Sequence, residues 1–200
     1  VTNSQDVSSL CVYRDRLLFG SLTDGLFEID GLEVRPYSES ADLRDLKSVS
    51  HLSSFKNLLF TYDSRNGAYL TQDNKSVRLS PLLDIALKDY TLNKVAFIDA
   101  GTIAFGTIKN GVIIYNIDLQ QFNVLNRQSG IRNNTVLDLK VHQDYLWLAL
   151  DNGVSRIDIM SEFTYYNDAS GGLGTVYDVA FFNGNYYLAS NTGVYTFYNN

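Results

Sequence analysis

One template recurs five times along this chain, and it limits the fold more than any other feature. An alternating apolar run meets a polar turn containing glycine, and a second apolar run leaves it. Leu18-Phe19-Gly20-Ser21 leads to Asp24-Gly25-Leu26-Phe27, and Leu59-Phe60-Thr61-Tyr62 to Asn66-Gly67-Ala68-Tyr69. Ala104-Phe105-Gly106-Thr107 leads to Asn110-Gly111-Val112-Ile113, Tyr145 through Leu150 to Asn152-Gly153-Val154, and Tyr187-Leu188-Ala189-Ser190 to Thr192-Gly193-Val194-Tyr195. The turn glycines Gly25, Gly67, Gly111, Gly153 and Gly193 are spaced by 42, 44, 42 and 40 residues. Alternation of this kind argues half-buried strands, and glycine supplies the positive φ of a tight hairpin turn. An aromatic residue (Phe19, Phe60, Phe105, Trp147 or Tyr187) stands six residues before its glycine, seven in the second repeat. Its recurrence predicts packing between repeats rather than a sugar-stacking role.

Each repeat has a further apolar run before the hairpin: Val7 to Val12, Val49 to Phe55, Val95 to Ile98, Val136 to Val141 and Val176 to Phe181. The first four have another run after it: Val34 to Tyr37, Val77 to Leu79, Phe122 to Leu125 and Phe163 to Tyr166. Four short strands in a repeat of about 42 residues describe a β-propeller blade. The expected fold is therefore all-β, a propeller of about five four-stranded blades. The expected repeats are 7–48, 49–93, 94–135, 136–175 and 176–200. A closed five-bladed ring and an arc of a larger ring both satisfy the pattern. The one helix-like segment is Leu82 to Tyr90, where a turn or two is expected.

Composition narrows the function classes. The net charge of −6 and the absence of any Lys/Arg run argue against a nucleic-acid groove. Cys11 is the only cysteine, so neither an internal disulfide nor a multi-Cys zinc site can form. Its apolar setting, Leu10-Cys11-Val12, predicts a buried thiol. No apolar run approaches the ~18 residues that span a bilayer. The chain starts at Val1 without a signal peptide and reads as a processed or excised segment, with any membrane part outside it.

The segment Ser129-Gly130-Ile131-Arg132-Asn133-Asn134-Thr135-Val136, followed by Leu146-Trp147-Leu148-Ala149-Leu150-Asp151-Asn152-Gly153-Val154, resembles the two-component regulator propeller repeat. The continuation Ser155 to Ile159, then Phe163-Thr164-Tyr165-Tyr166 and a Gly-rich stretch, is similar to the end of such propellers in Bacteroidetes sensor regulators. The resemblance implies the periplasmic sensor of an inner-membrane signal-transduction or transcriptional regulator. A β-sandwich, a membrane helix and a histidine kinase or LuxR-type output would lie outside this sequence. An oligosaccharide is the ligand class it suggests, with homodimerisation through the parent protein.

No catalytic motif and no cofactor or metal site is expected. Gly171-Gly172-Leu173-Gly174 lacks the strand-loop-helix context and the following Lys-Ser/Thr of a phosphate loop. His51 and His142 lie about two repeats apart, without converging ligands. A secreted glycoside hydrolase or lyase is the enzymatic alternative, because five-bladed glycosidases place paired acids in the axial channel. Its candidate carboxylates are Asp6, Asp99, Asp138 and Asp178, of which Asp138 and Asp178 hold equivalent places in successive repeats. A protein-interaction scaffold is the other alternative. Blade connections are the expected recognition surface: Tyr37 to Ser40, Arg132 to Asn134 and Tyr166 to Ser170. The candidate ligand residues are Arg132, Asn133, Asn134, Tyr166 and Asp168, with Asp138 and Asp178 facing the channel.

Overall fold

Alternation becomes pairing in the computed structural model, which describes residues 6–37, 40–161 and 171–198. The first sheet is the antiparallel meander β1 (Val7–Tyr13), β2 (Arg16–Ser21), β3 (Gly25–Asp30) and β4 (Glu33–Pro36). The second is β5 (His51–Phe55), β6 (Leu58–Asp63), β7 (Gly67–Gln72) and β8 (Lys75–Arg78). The third is β9 (Leu92–Phe97), β10 (Thr102–Thr107), β11 (Val112–Asn116) and β12 (Gln121–Leu125). The fourth and fifth have three strands each among the described residues: β13 (Val136–His142), β14 (Tyr145–Leu150) and β15 (Gly153–Asp158), then β16 (Val176–Phe182), β17 (Asn185–Ser190) and β18 (Gly193–Tyr198). The run Phe163 to Tyr166 lies outside the described residues. The first strands sit side by side, β1 with β5, β5 with β9 and β9 with β13, so they are the inner strands of successive blades. This is the all-β propeller arrangement.

Directly opposed residues in a sheet share a face, and the registers therefore assign each side chain to the preceding or the following blade. Leu18, Phe60 and Ala104 face the following blade, while Leu59, Phe105 and Leu148 face the preceding one. Three apolar interfaces result. Blades one and two share Tyr13, Leu18, Leu26, Val49, Leu52 and Leu59. Blades two and three share Phe60, Tyr62, Phe97, Ile103 and Phe105, with the Phe60 and Phe105 rings 5.2 Å apart. Blades three and four share Ala104, Val112, Val136, Leu139, Leu146 and Leu148.

The registers correct one expectation. The five aromatics counted from the turn glycine do not occupy one position. Ser21 pairs with Gly25 and Asp63 with Gly67, each across three intervening residues, whereas Leu150 pairs with Gly153 and Ser190 with Gly193 across two. Phe19 and Phe105 consequently face the preceding blade, while Phe60, Trp147 and Tyr187 face the following one. A one-residue shift moves a side chain to the other face of its strand.

Two connections carry helices. α1 (Ala41–Arg44) is a single turn, and α2 (Pro81–Asp89) runs nine residues from Ser80, with Pro81 opening its first turn. Proline suits that position because its missing N–H has no helical partner there. Leu83 and Leu87 of α2 are fully buried in the interface of blades two and three. α2 exceeds the two turns expected because this apolar face gives it a core to cover.

Among the described residues, the outer faces of the packed arc are partly uncovered. Leu10 and Val12, on the preceding face of blade one, are 58% and 63% exposed. Trp147, on the following face of blade four, is 39% exposed where Leu18, Phe60 and Ala104 are 0% exposed. Every residue of β16 is exposed. Among the described residues, no helix is long and apolar enough to cross a membrane.

Candidate functional site: the connection mouth of the arc

Inter-blade connections and the turns between second and third strands lie at the same end of the arc, where each inner strand begins. This end is the connection mouth. Four of the five inner strands start there with an irregularity. Ser9 pairs with Gly20, Lys94 with Gly106, Asp138 with Ala149 and Asp178 with Ala189, and in each case the residue before is skipped in the register. His51, opposite Tyr62, holds the same place in blade two. One ring position thus carries Ser9, His51, Lys94, Asp138 and Asp178.

Two of the skipped residues lace blades together. Ser8 Oγ donates to the carbonyls of Gly20 (3.0 Å) and Val49 (2.5 Å), the second in the next blade. Asn93 Nδ2 donates to Val136 O (2.9 Å) and Leu137 O (3.0 Å), again one blade onward. In blade two, Ser50 Oγ donates to Tyr62 O of its own sheet and lies 3.0 Å from His51 Nδ1. His51 meets the backbone of Asn93 in blade three. Burial lowers the pKa of its imidazole, the Asn93 hydrogen bond opposes this, and nearby Lys94 lowers it further.

The connection from blade three to blade four is held by its own polar groups. Asn133 Oδ1 accepts the Thr135 N–H (3.1 Å), and Asn134 Oδ1 accepts the Arg127 N–H (2.8 Å). The Asn134 carbonyl accepts the Gly111 N–H at 2.7 Å, and Thr135 Oγ1 donates to Ile108 O at 3.0 Å. The two asparagine side-chain oxygens therefore fold the connection on itself, while the Asn134 carbonyl and Thr135 Oγ1 fix it to the hairpin of blade three. Arg132 donates its N–H to Ser155 Oγ (3.3 Å), and its side chain is exposed beside Gly153. Asp138 Oδ1 accepts the Leu139 N–H (3.0 Å) and Asp178 Oδ1 the Val179 N–H (2.9 Å). Each aspartate thereby caps its own strand and keeps its second oxygen for other partners. Tyr166 and Asp168 lie outside the described residues, as do positions 38 and 39 of the connection from Tyr37 to Ser40. Asp99 is at the opposite end, where Oδ1 accepts the Gly101 N–H in a turn.

The mouth thus gathers Ser8, His51, Asn93, Lys94, Arg132 and Asp138 from four blades, with Asp178 at the matching place in the fifth. These groups can donate and accept hydrogen bonds and pair with charge of either sign. Among the described residues, no three His, Cys, Asp or Glu side chains cluster as a metal site. Ser8, Ser50 and Asn93 were overlooked in the sequence, although each follows an aliphatic residue at the start of its inner strand. The described grooves lie elsewhere. One of about 560 Å³ is lined by Leu70, Lys75, Val77 and Arg78 of blade two and by Ile117 and Gln120 of blade three.

No protein-family profile matches the sequence, and no curated protein matches it. Solved structures do match. The extracellular domain of BT4673, described as a hybrid two component system of B. thetaiotaomicron, superposes with a TM-score of 0.58 at 14% identity, over 99% of this chain and 27% of that one. The extracellular domain of BT3049, described likewise and from the same organism, gives 0.55 at 13% identity, over 100% of this chain and 29% of that one. The WD40 β-propeller domain of Doa1 gives 0.54 at 13% identity, over 96% of this chain and 68% of that one. The chain therefore spans under a third of the two bacterial domains. At these identities the likeness is one of fold, and it establishes the β-propeller.

Proposed function

We propose that this chain is a non-catalytic sensing segment of an extracytoplasmic propeller, belonging to a bacterial signal-transduction regulator. Its ligand would be bound at the connection mouth. The observation that carries this reading is the fold shared along the whole chain with extracellular domains of two component systems. The polar ring of His51, Lys94 and Asp138, flanked by Arg132, is the ligand-facing chemistry in this reading. An oligosaccharide suits it, because amides, a guanidinium and carboxylates match sugar hydroxyls. The periplasm is the expected compartment. Homodimerisation, the membrane anchor and the output module would belong to the parent protein.

Capping of their own strands by Asp138 and Asp178 supports a structural role for these carboxylates over the paired acids of a hydrolase. The test is thermal unfolding against a panel of oligosaccharides with product analysis alongside. Ligand at 100 times its Kd adds about 2.7 kcal/mol of stability. A midpoint raised by one glycan, without product, and lowered again by Arg132→Ala supports the sensor. Released reducing sugar that disappears in Asp138→Asn would replace it with the hydrolase. No shift with any glycan would remove the oligosaccharide and leave a protein-contact scaffold.

A further inference from the structure

Most arginines of this chain already have partners. Arg14 meets Asp73, Arg16 meets Glu28, Arg35 meets Asp30 and Glu33, Arg65 meets Asp63, and Arg78 meets Asp84. The Arg156 guanidinium lies 4.3 Å from the Tyr145 ring centre. The connection from blade three to blade four is different. Among the described residues, the guanidinium groups of Arg127 and Arg132 have neither a carboxylate nor a ring partner, and both side chains are exposed. Lys94 and Lys109 are exposed too, and neither forms an ion pair among the described residues.

Hydrogen bonds stitch these four cations onto one surface of the connection mouth. The Lys109 N–H donates to Tyr90 O and the Ile108 N–H to Thr91 O, both at 3.0 Å, which ties the hairpin of blade three to the strand start that carries Lys94. Asn126 Nδ2 donates to Asn110 Oδ1 (3.1 Å), tying the same hairpin to the neighbour of Arg127. Asn134 joins both, its carbonyl accepting the Gly111 N–H and its Oδ1 the Arg127 N–H. Segments 90–94, 108–111 and 126–135 thus hold four cations and no Asp or Glu, in a chain of net charge −6. Asp89, Asp138 and Asp151 flank them, and Asp138 Oδ1 is turned to the Leu139 N–H of its own strand. The amides have the same polarity. Oδ1 of Asn110, Asn133 and Asn134 each accepts a bond within the loops, so each side chain has its NH2 group left to offer. The surface presents cations and N–H donors.

We propose that this surface binds the carboxylate or sulfate groups of an acidic oligosaccharide. The inference rests on the oligosaccharide reading of the mouth and adds the charge of the ligand. A planar guanidinium donates to two oxygens of a carboxylate or sulfate at once, and an unpaired one has no internal partner to give up. Loops already fixed by hydrogen bonds lose little freedom on binding. A sugar suits the amide donors, whereas the stitched segments carry no exposed large apolar side chain to enter a lipid surface.

Titration calorimetry with two matched pairs tests this: an oligogalacturonate and its methyl ester, and a carrageenan oligosaccharide and its desulfated form. One acidic member is expected to bind at least about tenfold more tightly than its neutral partner, several exposed charge contacts together giving that ratio, and to weaken with added salt. The pair that responds separates carboxylate from sulfate. Lys109→Gln, Arg127→Gln and Arg132→Gln should each weaken binding about two- to fivefold. Arg35→Gln, whose guanidinium is ion-paired at the opposite end of blade one, should leave it unchanged. Equal binding of acidic and neutral members would overturn the proposal and leave the sugar ligand standing. No binding of either acidic glycan would overturn it as well, and if no neutral glycan bound either, the sugar ligand would fall with it. Charge-dependent binding that survives all three mouth variants would place the anion elsewhere and overturn the assignment.

Discussion

Gly20 and Gly106 sit where a second strand passes closest to the next blade. A Cβ on Gly20 would lie 2.8 Å from both the Val49 carbonyl and its Cγ1, and one on Gly106 2.8 Å from Leu139 Cδ2 and Val136 Cγ1. Overpacking a tight site costs about 1–3 kcal/mol. Gly20→Ala is expected near the upper end of that range and Gly106→Ala near the lower, measured by urea unfolding. Side chains can rotate away from a new methyl, whereas the Val49 carbonyl is fixed by its hydrogen bond from Ser8. Ala149 occupies the equivalent place in blade four, where the following face is open. His51 gives a pH signature. Its folded pKa lies below the ordinary value near 6.5, so the fold favours the neutral ring. Stability is then full above about pH 6.5 and falls with decreasing pH until the folded pKa is passed. His51→Gln should flatten that part of the curve of melting temperature against pH. Burial pushes the Cys11 thiol up to about 11, with a hydrogen bond to Ser54 opposing. Native protein at pH 8 should therefore react slowly with a thiol reagent and the unfolded chain rapidly.

At the scale of elements, α2 is a brace as much as a connection. Asp84 Oδ1 accepts the Ala68 N–H (2.7 Å), and its Oδ2 accepts from Arg78 Nε (3.1 Å) and Nη2 (2.9 Å). Asp84→Ala leaves the Ala68 N–H unpaired near the buried start of β7, at a cost of about 1–3 kcal/mol. Arg78→Ala should cost under about 1 kcal/mol because its guanidinium is largely exposed. Chemical denaturation of both variants separates the two. Hairpins were the most legible elements, since alternation and a turn glycine name both strands and the bend. Their phase was not. Ser21, Asp63, Thr107 and Ser190 each end a second strand and accept N–H groups of the turn with a side-chain oxygen. Leu150 takes that place in blade four. Counting from this polar residue rather than from the glycine would have put Phe19 and Phe105 on one face and Trp147 on the other. The helix was visible as Leu82 to Tyr90, but its length depends on covering Phe60 and Phe105, which no local pattern states. At the mouth, Arg132, Asn133 and Asn134 were legible as a polar loop, yet the work of the two asparagines appears only with Thr135, Arg127 and Gly111 beside them. Ser8 and Asn93 went unread because their partners are carbonyls one blade away.

Across the whole molecule, stability is distributed unevenly along the arc. Blades two and three have both faces covered, and their shared interface holds the largest cluster of buried side chains, Phe60, Phe105 and Tyr115 among them. Blade one is covered on one side only, and blade four relies on Ala104, Val112 and Val136 behind it while its other face carries Lys140 and Arg156. Among the described residues, blade five shares no such cluster. In a repeat architecture, stability is approximately a sum of blade and interface contributions, and regions with few buried apolar groups open at lower free energy. Hydrogen exchange should therefore be ordered. Amides of β6, β7, β10 and β11 should exchange slowest, those of β2 and β14 faster, and those of β16 to β18 fastest. The Phe60→Ala, Phe105→Ala double-mutant cycle gives the interface its own value. A coupling of about 0.5–1.5 kcal/mol is expected from the edge-tilted ring pair. Both single variants should speed exchange in blades two and three together, because the interface belongs to both. Exchange that is uniform from β1 to β18 would mean one cooperative unit, and the junction between blades four and five would then be as strong as the three apolar ones. Fast exchange confined to β16–β18, slowed by nothing that alters blades one to three, would place the molecule's adjustable joint beside Asp138 and the connection mouth, where a bound ligand could bias it.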